Sequence, residues 1–494
     1  MDLTGVECGV FEVWGPISEG GMSRVWLARH RELGAPVILK TLLDSDNGNP
    51  CDNAFTRLRD EARLMARIPD PRVVRAVDVG VHAGVPYLAQ EYVDGLDLAE
   101  LDRRRRLVLG RNLPLWFVCF AASEIASALH SAHQTGVLHR DVKPSNLFGS
   151  PQTGIRLGDF GIAIARGHTS DARSGTLRFL APEALRGEPP TRQCDLYSLG
   201  ATAYDLYYGR PPFTELRDLL GESPVRFPAA CSPEEAYFQH VLARMLDRDP
   251  ARRFPTAAVP LRLFASLARN LRPQLPAVPL GRGVFQIGRV RVSCVLGDIA
   301  DVVSDGILNS ANDDMRMRTG VGGALRRKGG QAIEDEAMGG GRRALGECIP
   351  TRGGALACRY VLHAVSAWKE ASCIARTSQR AFLLAEELDL TSLAIPALGT
   401  GTAHVAPEAC ASALSAALQE HLHLGGSRLR QVMFVLYDKE VLDIFIDQLS
   451  GLFLGDPEPS EELIYPRVDP QPDDEAGLDD TVSLKDEGKR SAGR

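Results

Sequence analysis

Along the first hundred residues the apolar positions alternate with a short period. Five runs, Phe11 to Trp14, Arg24 to Ala28, Val37 to Thr41, Val77 to Val81 and Tyr87 to Gln90, predict strands, while Ala54 to Arg67 predicts one helix. A small sheet carrying a single helix is expected there. From Leu113 to about Leu267 the period becomes helical, with Leu115, Ala122, Ile125, Ala126 and Leu129 on one buried face before the break at Gly136. Between Arg272 and Gly288 the period is interrupted by Pro273, Pro276, Pro279, Gly281, Gly283 and Gly288, which reads as a linker over 271–288. Beyond it, strand-like runs at Val290 to Leu296, Gly306 to Asn309, Tyr360 to Ala364, Ser392 to Pro396 and Gln431 to Tyr437 alternate with helical stretches, the pattern of a layered α/β unit. From Gly455 onward the chain is acidic, Pro-rich and poor in aromatics, so 451–494 is expected to be a disordered tail.

Composition narrows the function classes. A chain of 494 residues is too long for one hydrophobic core and favours two or more domains. The formal net charge of -7 argues against nucleic-acid binding by bulk charge. Asp2 and Glu7 interrupt any secretory apolar run, and no membrane-spanning stretch stands out, so a cytoplasmic location without a membrane partner is expected. Ten cysteines without a Cys-x-x-Cys pair suggest neither a zinc ribbon nor a disulfide framework.

The segment His139-Arg-Asp-Val-Lys-Pro-Ser-Asn146, followed by Asp159-Phe-Gly161 and Ala181-Pro-Glu183, resembles the catalytic loop, metal motif and segment end of protein kinases. The resemblance implies a two-lobed α+β fold over 8–270, with a small lobe at 8–93 and a large lobe at 94–270. It implies that Asp141 accepts the proton of a substrate hydroxyl, Lys143 steadies the transferring phosphate, and Asn146 and Asp159 hold Mg2+. Val37-Ile-Leu-Lys40 resembles the strand that sets a lysine on the phosphates of ATP, with Glu61 as its ion-pair partner. Gln90-Glu-Tyr-Val93 resembles the hinge, where backbone groups of Glu91 and Val93 hold adenine and Gln90 lines the back. The phosphate-covering loop departs from the pattern: Ser18 and Ser23 stand where glycines are expected, Gly20 remains, and Val25 follows. Lys143 and Gly175-Thr176 point to serine and threonine substrates. Asp195 is expected to brace the catalytic loop and Arg253 to pair with Glu183. Arg140 suggests control by a phosphate on the activation segment, with Thr169, Ser170 and Ser174 as candidates.

The second half carries Gly297-Asp-Ile299, Asn309-Ser-Ala-Asn312, Gly320-Val-Gly-Gly-Ala-Leu325 and Ile395-Pro-Ala-Leu-Gly-Thr-Gly401, a run similar to the macro domain, an ADP-ribose-binding fold. A three-layer α/β/α domain over 289–450 is implied. Two glycine-rich turns, Gly320 to Gly323 and Gly399-Thr400-Gly401, can aim backbone amides at a diphosphate, the first at a helix start. The resemblance implies that Asp298 accepts from the adenine amine and Asn312 contacts the distal ribose, with Ile299, Val321 and Thr400 lining the site. Members that hydrolyse ADP-ribose often carry an acid in the first glycine loop. Gly322 stands there, which favours binding over hydrolysis. The expected whole is a kinase acting on protein substrates whose macro domain addresses ADP-ribosylated proteins. Its alternatives are an ADP-ribose hydrolase, or a scaffold with a feeble kinase lobe.

Overall fold

A computed structural model describes residues 3–19, 23–42, 50–160, 177–221, 224–368, 371–455, 464–466 and 481–483. The N-terminal six-stranded sheet runs from Glu7–Cys8 through Phe11–Glu19, Ser23–His30, Pro36–Leu42 and Val85–Glu91 to Ala76–His82, all antiparallel. Strand alternation splits its faces. Phe11, Val13, Trp26, Val37, Leu39 and Ala89 pack together on one side. Leu27 and Ile38, paired in register, point to the other, the side that also carries Lys40. Helix Pro50–Ala66 packs on this sheet through Leu58 and Met65, which join the core of the helical lobe below.

That lobe is built on helix Leu115–Gln134, whose Ile125, Ala126 and Leu129 are fully buried and which packs on helices Arg192–Tyr208 and Ala258–Leu271, with Pro233–Met245 packed on those two. Leu115–Gln134 is long and apolar enough to cross a membrane by length and composition, but it lies at the centre of this lobe. The fold is multidomain, as expected.

The expected linker is corrected by the structure. Ala277–Gly281 and Val284–Ile287 form a hairpin that continues, through Val290–Leu296, into the second sheet. Val284, Phe285 and Ile287 supply strand residues, Gly283 at φ 69° makes the turn, and Pro279 is tolerated because its strand is the sheet edge. The prolines and glycines punctuate a hairpin rather than a flexible connection.

The second sheet has eight strands, in the order Ala277–Gly281, Val284–Ile287, Val290–Leu296, Gln431–Leu436, Ser392–Ile395, Gly306–Ser310, Tyr360–Ala364 and Cys348–Arg352. The five strands from Val290–Leu296 to Tyr360–Ala364 are parallel. Leu308, Leu362, Val432 and Phe434 face helices Ile374–Glu387, Pro407–Leu424 and Lys439–Leu454. Ile307, Val361, Met433 and Val435 face the layer of Gly320–Gly329 and Ala332–Met338. This is the three-layer α/β/α arrangement. The expected tail is corrected at its start, since 451–454 complete helix Lys439–Leu454; beyond it Ile464–Pro466 pairs antiparallel with Thr481–Ser483, and 456–463, 467–480 and 484–494 lie outside the described residues.

Candidate active site and ligand pocket

The cleft between the first two lobes gathers the expected charged residues. Lys40 Nζ donates to Glu61 Oε1 and to Asp159 Oδ1, both at 2.9 Å, joining the sheet, the helix and the loop after Gly154–Leu157. Burial alone would lower the lysine, but Asp159 and Glu61 reverse this and hold its pKa above the ordinary value. The ammonium is therefore charged throughout the neutral range. Asp141 Oδ2 accepts from Lys143 Nζ at 2.8 Å and from Asn146 Nδ2 at 3.0 Å, while Asn146 Nδ2 also donates to the Asp141 carbonyl at 2.8 Å. With its amide nitrogen so engaged, Asn146 presents a carbonyl oxygen, and Asp159 a carboxylate that is 39% exposed. Two hard oxygen donors on one cleft suit magnesium.

This loop is fixed from beneath. The buried Asp195 carboxylate accepts from the amides of His139 and Arg140 at 2.9 and 2.7 Å and faces His133 Nε2 at 2.8 Å. His139 Nε2 lies 2.9 Å from the Gly158 carbonyl, tying the catalytic loop to Asp159. Arg140 and Asp159 both take left-handed backbone, at φ 68° and 55°, a conformation that side chains other than glycine hold only when their surroundings fix them. Arg253 grips Glu183 with both guanidinium nitrogens, at 2.6 and 2.9 Å, fully buried.

At the hinge, Gln90 is buried and donates to Met65 Sδ at 3.5 Å, Glu91 accepts from Arg156 at 3.1 Å, and Val93 is buried. Ser18 and Val25 lie paired on neighbouring strands. Gly20, Gly161, Thr169, Ser170, Ser174, Gly175 and Thr176 lie outside the described residues.

In the second sheet, every expected ligand residue follows the carboxyl end of a parallel strand or begins the helix beside it, where open α/β sheets bind ligands. Asp298 follows Val290–Leu296, Asn312 follows Gly306–Ser310, and Gly399 follows Ser392–Ile395, its amide donating to Ser310 Oγ at 3.2 Å. Gly320, Val321 and Gly322 open helix Gly320–Gly329. Gly399 takes φ 72°, and a Cβ there would sit 2.8 Å from that of Ala367. Asp298 accepts from the Ala300 amide at 2.9 Å, which depresses its pKa first, and from Lys328 at 3.3 Å. Tyr437, which sequence reasoning left as the end of a strand, is 89% exposed. It follows Leu436, whose carbonyl accepts from Gly297, so it stands at the strand end that carries Asp298.

The model of the protein kinase domain matches residues 11–260, half of the chain. The chain belongs to the protein kinase family. The kinase half is 32% identical over 285 residues to the serine/threonine-protein kinase PknB of Mycolicibacterium smegmatis, covering 53% of this chain and 43% of that one. It is 30% identical over 263 residues to a probable serine/threonine-protein kinase of Clostridium perfringens, covering 50% of this chain and 36% of that one. The chain thus spans less than half the length of these relatives. Among solved structures, the PknI kinase domain of Mycobacterium tuberculosis is 30% identical and covers 53% of this chain and 98% of that one, at a TM-score of 0.43. The macro domain model matches residues 308–414.

The two domains are joined where the kinase chain leaves its hinge, a contact without any trace in the motifs. Asp94 accepts from the amides of Ala375 and Arg376, both at 2.9 Å, and so caps macro helix Ile374–Glu387 from the kinase side. Arg376 donates to the Gly95 carbonyl at 3.0 Å, Gln379 accepts from the Leu96 amide at 2.9 Å, and Arg380 grips both oxygens of Glu100 at 3.0 Å. At the other end of the seam, Arg105 donates to the Leu424 carbonyl at 2.9 Å, on the last turn of helix Pro407–Leu424. An acid meets a helix start and a base meets a helix end, as the helix dipole favours.

Proposed function

We propose that this chain is a Ser/Thr protein kinase that moves the γ-phosphate of ATP to protein hydroxyls, and that its macro domain binds ADP-ribose or a related nucleotide. The kinase reading rests on one observation above all: Lys40 held between Glu61 and Asp159 at 2.9 Å each, in the cleft that contains Asp141. In this reading Lys40 holds the α- and β-phosphates and Glu61 keeps it in place. The hinge backbone at Glu91 and Val93 holds adenine, while Ser18, Gly20 and Val25 cover the nucleotide. Asp141 accepts the hydroxyl proton and Lys143 steadies the transferring group. Magnesium, held by Asn146 and Asp159, supplies neutralisation of phosphate charge. Arg140 Nε is buried with no hydrogen-bond partner among the described residues, which fits a guanidinium that takes up a phosphate from Thr169, Ser170 or Ser174. The test is γ-phosphate transfer to a basic peptide with magnesium. Asp141→Asn should lower kcat by about 10²–10⁴-fold, and an active Asp141→Asn chain would overturn the reading.

The macro reading rests on the position of Asp298, Asn312, Gly320 and Gly399 at the carboxyl end of the parallel strands. Adenine lies near Asp298, where Tyr437 offers a stacking face. Ile299 lines that end. The diphosphate lies between Gly320–Gly322 and Gly399–Gly401, with Val321 and Thr400 beside it, and Asn312 contacts the distal ribose. Binding is favoured over hydrolysis because a Cβ at Gly322 would come 3.3 Å from Met317 Cα and 3.4 Å from Asn309 Oδ1, which leaves little room for an acidic side chain. The domain then brings the kinase to ADP-ribosylated proteins. Calorimetric titration with ADP-ribose tests binding, and release of ADP-ribose from a modified protein, abolished by Asn312→Ala, would replace the reader with a hydrolase.

A further inference from the structure

One apolar cluster contains residues of both domains. Leu27 and Ile38 of the kinase sheet, with Trp14, Ile17 and Tyr92, pack in a single group with Met315, Val365 and Cys373 of the macro domain. Ile38 lies two residues before Lys40 on the same strand and so on the same face of the sheet, the face over the nucleotide cleft. Tyr92 lies between Glu91 and Val93, the two hinge residues assigned to adenine. Macro-domain residues therefore share one cluster with the face of the kinase sheet that carries Lys40.

Met315 belongs to this shared cluster and is also hydrogen-bonded to a residue of the proposed ligand site. It is 1% exposed and takes φ 59°, a left-handed backbone that a long side chain adopts only when its surroundings hold it there. Its amide donates to the Asn312 carbonyl at 3.1 Å, closing a turn that begins on the residue assigned to the distal ribose. Asn312 follows Ala311, whose amide donates to Ala364, and Val365, next in the chain, joins the same cluster. The turn that begins at Asn312 thus ends in the cluster that includes Leu27 and Ile38 of the kinase sheet.

We infer that Met315 is a positioning residue for the kinase, supplied by the macro domain, and that it couples the two pockets. The inference rests on the reading of the macro pocket as an ADP-ribose site. A ligand hydrogen-bonded to Asn312 fixes the first residue of the turn and thereby holds Met315 in its strained seat in the cluster it shares with Leu27 and Ile38. ADP-ribose then strengthens ATP binding, and by linkage ATP strengthens ADP-ribose binding by the same factor. The kinase would read the occupancy of its own targeting domain through the shared cluster.

The experiment uses the full chain. Steady-state phosphorylation of a basic peptide is measured over a range of ATP, with and without saturating ADP-ribose. Calorimetry then measures ADP-ribose binding with and without a non-hydrolysable ATP analogue, and binding of the analogue with and without ADP-ribose. The expected result is a Kd for the ATP analogue lowered about fivefold by ADP-ribose and the same fivefold factor in the ADP-ribose Kd with the analogue, with the KM for ATP falling in the same direction and kcat unchanged within about twofold. Met315→Ala should bring both factors to about one while ADP-ribose alone still binds, and Met315→Leu should restore them. ADP-ribose that binds with no change in the Kd of the analogue, or raises it, overturns the coupling and leaves the macro reading standing. No calorimetric binding overturns the macro reading and the coupling with it. Should Met315→Ala fail to fold, the reciprocal factors in the unmodified chain decide the matter.

Discussion

In the site proposed for the kinase the working groups are charged side chains fixed by other side chains, whereas in the ligand site proposed for the macro domain they are backbone turns fixed by the ends of strands. Lys40 is set by two carboxylates and Asp141 by Lys143 and Asn146, with Asp195 beneath them. Asp298 and Asn312 aside, the proposed ligand site is lined by glycines, of which Gly320 and Gly399 take positive φ and Gly322 and Gly399 have little room for a Cβ. The difference teaches where each site should be fragile. The cleft should fail when a charge is removed, and the pocket when a Cβ is added.

The largest expected effect sharpens the first half of this contrast. Lys40→Met removes the partner of Glu61 and Asp159 and the cation assigned to the phosphates, and should lower kcat/KM by about 10²–10³-fold while ADP-ribose binding stays within the reach of the coupling factor. The second half is tested by a pair of glycines. Gly399→Ala forces φ 72° on an alanine and brings its Cβ to 2.8 Å from Ala367, so ADP-ribose affinity should fall about tenfold or more, from roughly 1–2 kcal/mol of backbone strain. Gly451→Ala, in helix Lys439–Leu454 and outside the proposed site, meets nothing among the described residues within 4 Å and should bind as the unmodified chain does. Equal losses from the two would mean that the pocket is set by something other than backbone room.

The same contrast explains what the sequence carried. The kinase motifs are contiguous, because one loop carries Asp141, Lys143 and Asn146 together, so side-chain identity in register is enough to recognise them. The macro glycines were visible through spacing. The seam between the domains was not, since Asp94 and Ala375 lie 281 residues apart and such a pairing leaves no period. Helix Ile374–Glu387 is buried nearly all round, including Arg376, Thr377, Ser378 and Gln379, because the macro sheet covers one side and the kinase the other. An amphipathic reading assumes a solvent face that this helix lacks. The misread linker has a related cause: its prolines and glycines are compatible with an edge hairpin, whose partner strand is recognisable only once the sheet is assembled.

A smaller effect tests whether the domains are clamped or merely adjacent. Asp94→Ala leaves the Ala375 and Arg376 amides without their acceptor and should cost about 1–2 kcal/mol, by the usual loss for an N-cap. In the full chain this should lower the melting temperature by a few degrees and separate the kinase and macro transitions in calorimetry. An unchanged, single transition would make the hydrogen bonds at the hinge incidental.

The smallest effect concerns pH, and it follows from two carboxylates in the same seam that are shifted in opposite directions. Glu420 accepts from Gln379 at 2.6 Å and lies near Arg105; burial outweighs both and pushes its pKa up to about 7. Its folded pKa is above its ordinary value of 4.5, so its contribution is fully present below about 4.5 and is lost as pH rises through 7. Glu100 is also raised by burial, but Arg380, Arg376 and Arg104 overcome this and hold it at about 2. Its contribution is present above 4.5 and is lost as pH falls toward 2. Asp94, pushed up to about 6 by burial against the pull of the two amides it caps, adds to the loss on the alkaline side. Glu420→Gln keeps the shape of the protonated acid and removes its titration. The variant should match the unmodified chain at pH 5 and melt a few degrees higher at pH 8, whereas Glu100→Gln should melt lower at pH 8 and lose that difference toward pH 2. Parallel curves for Glu420→Gln and the unmodified chain would mean that the carboxyl is hydrated in the folded protein and that the macro helices separate from the kinase more readily than their hydrogen bonds imply.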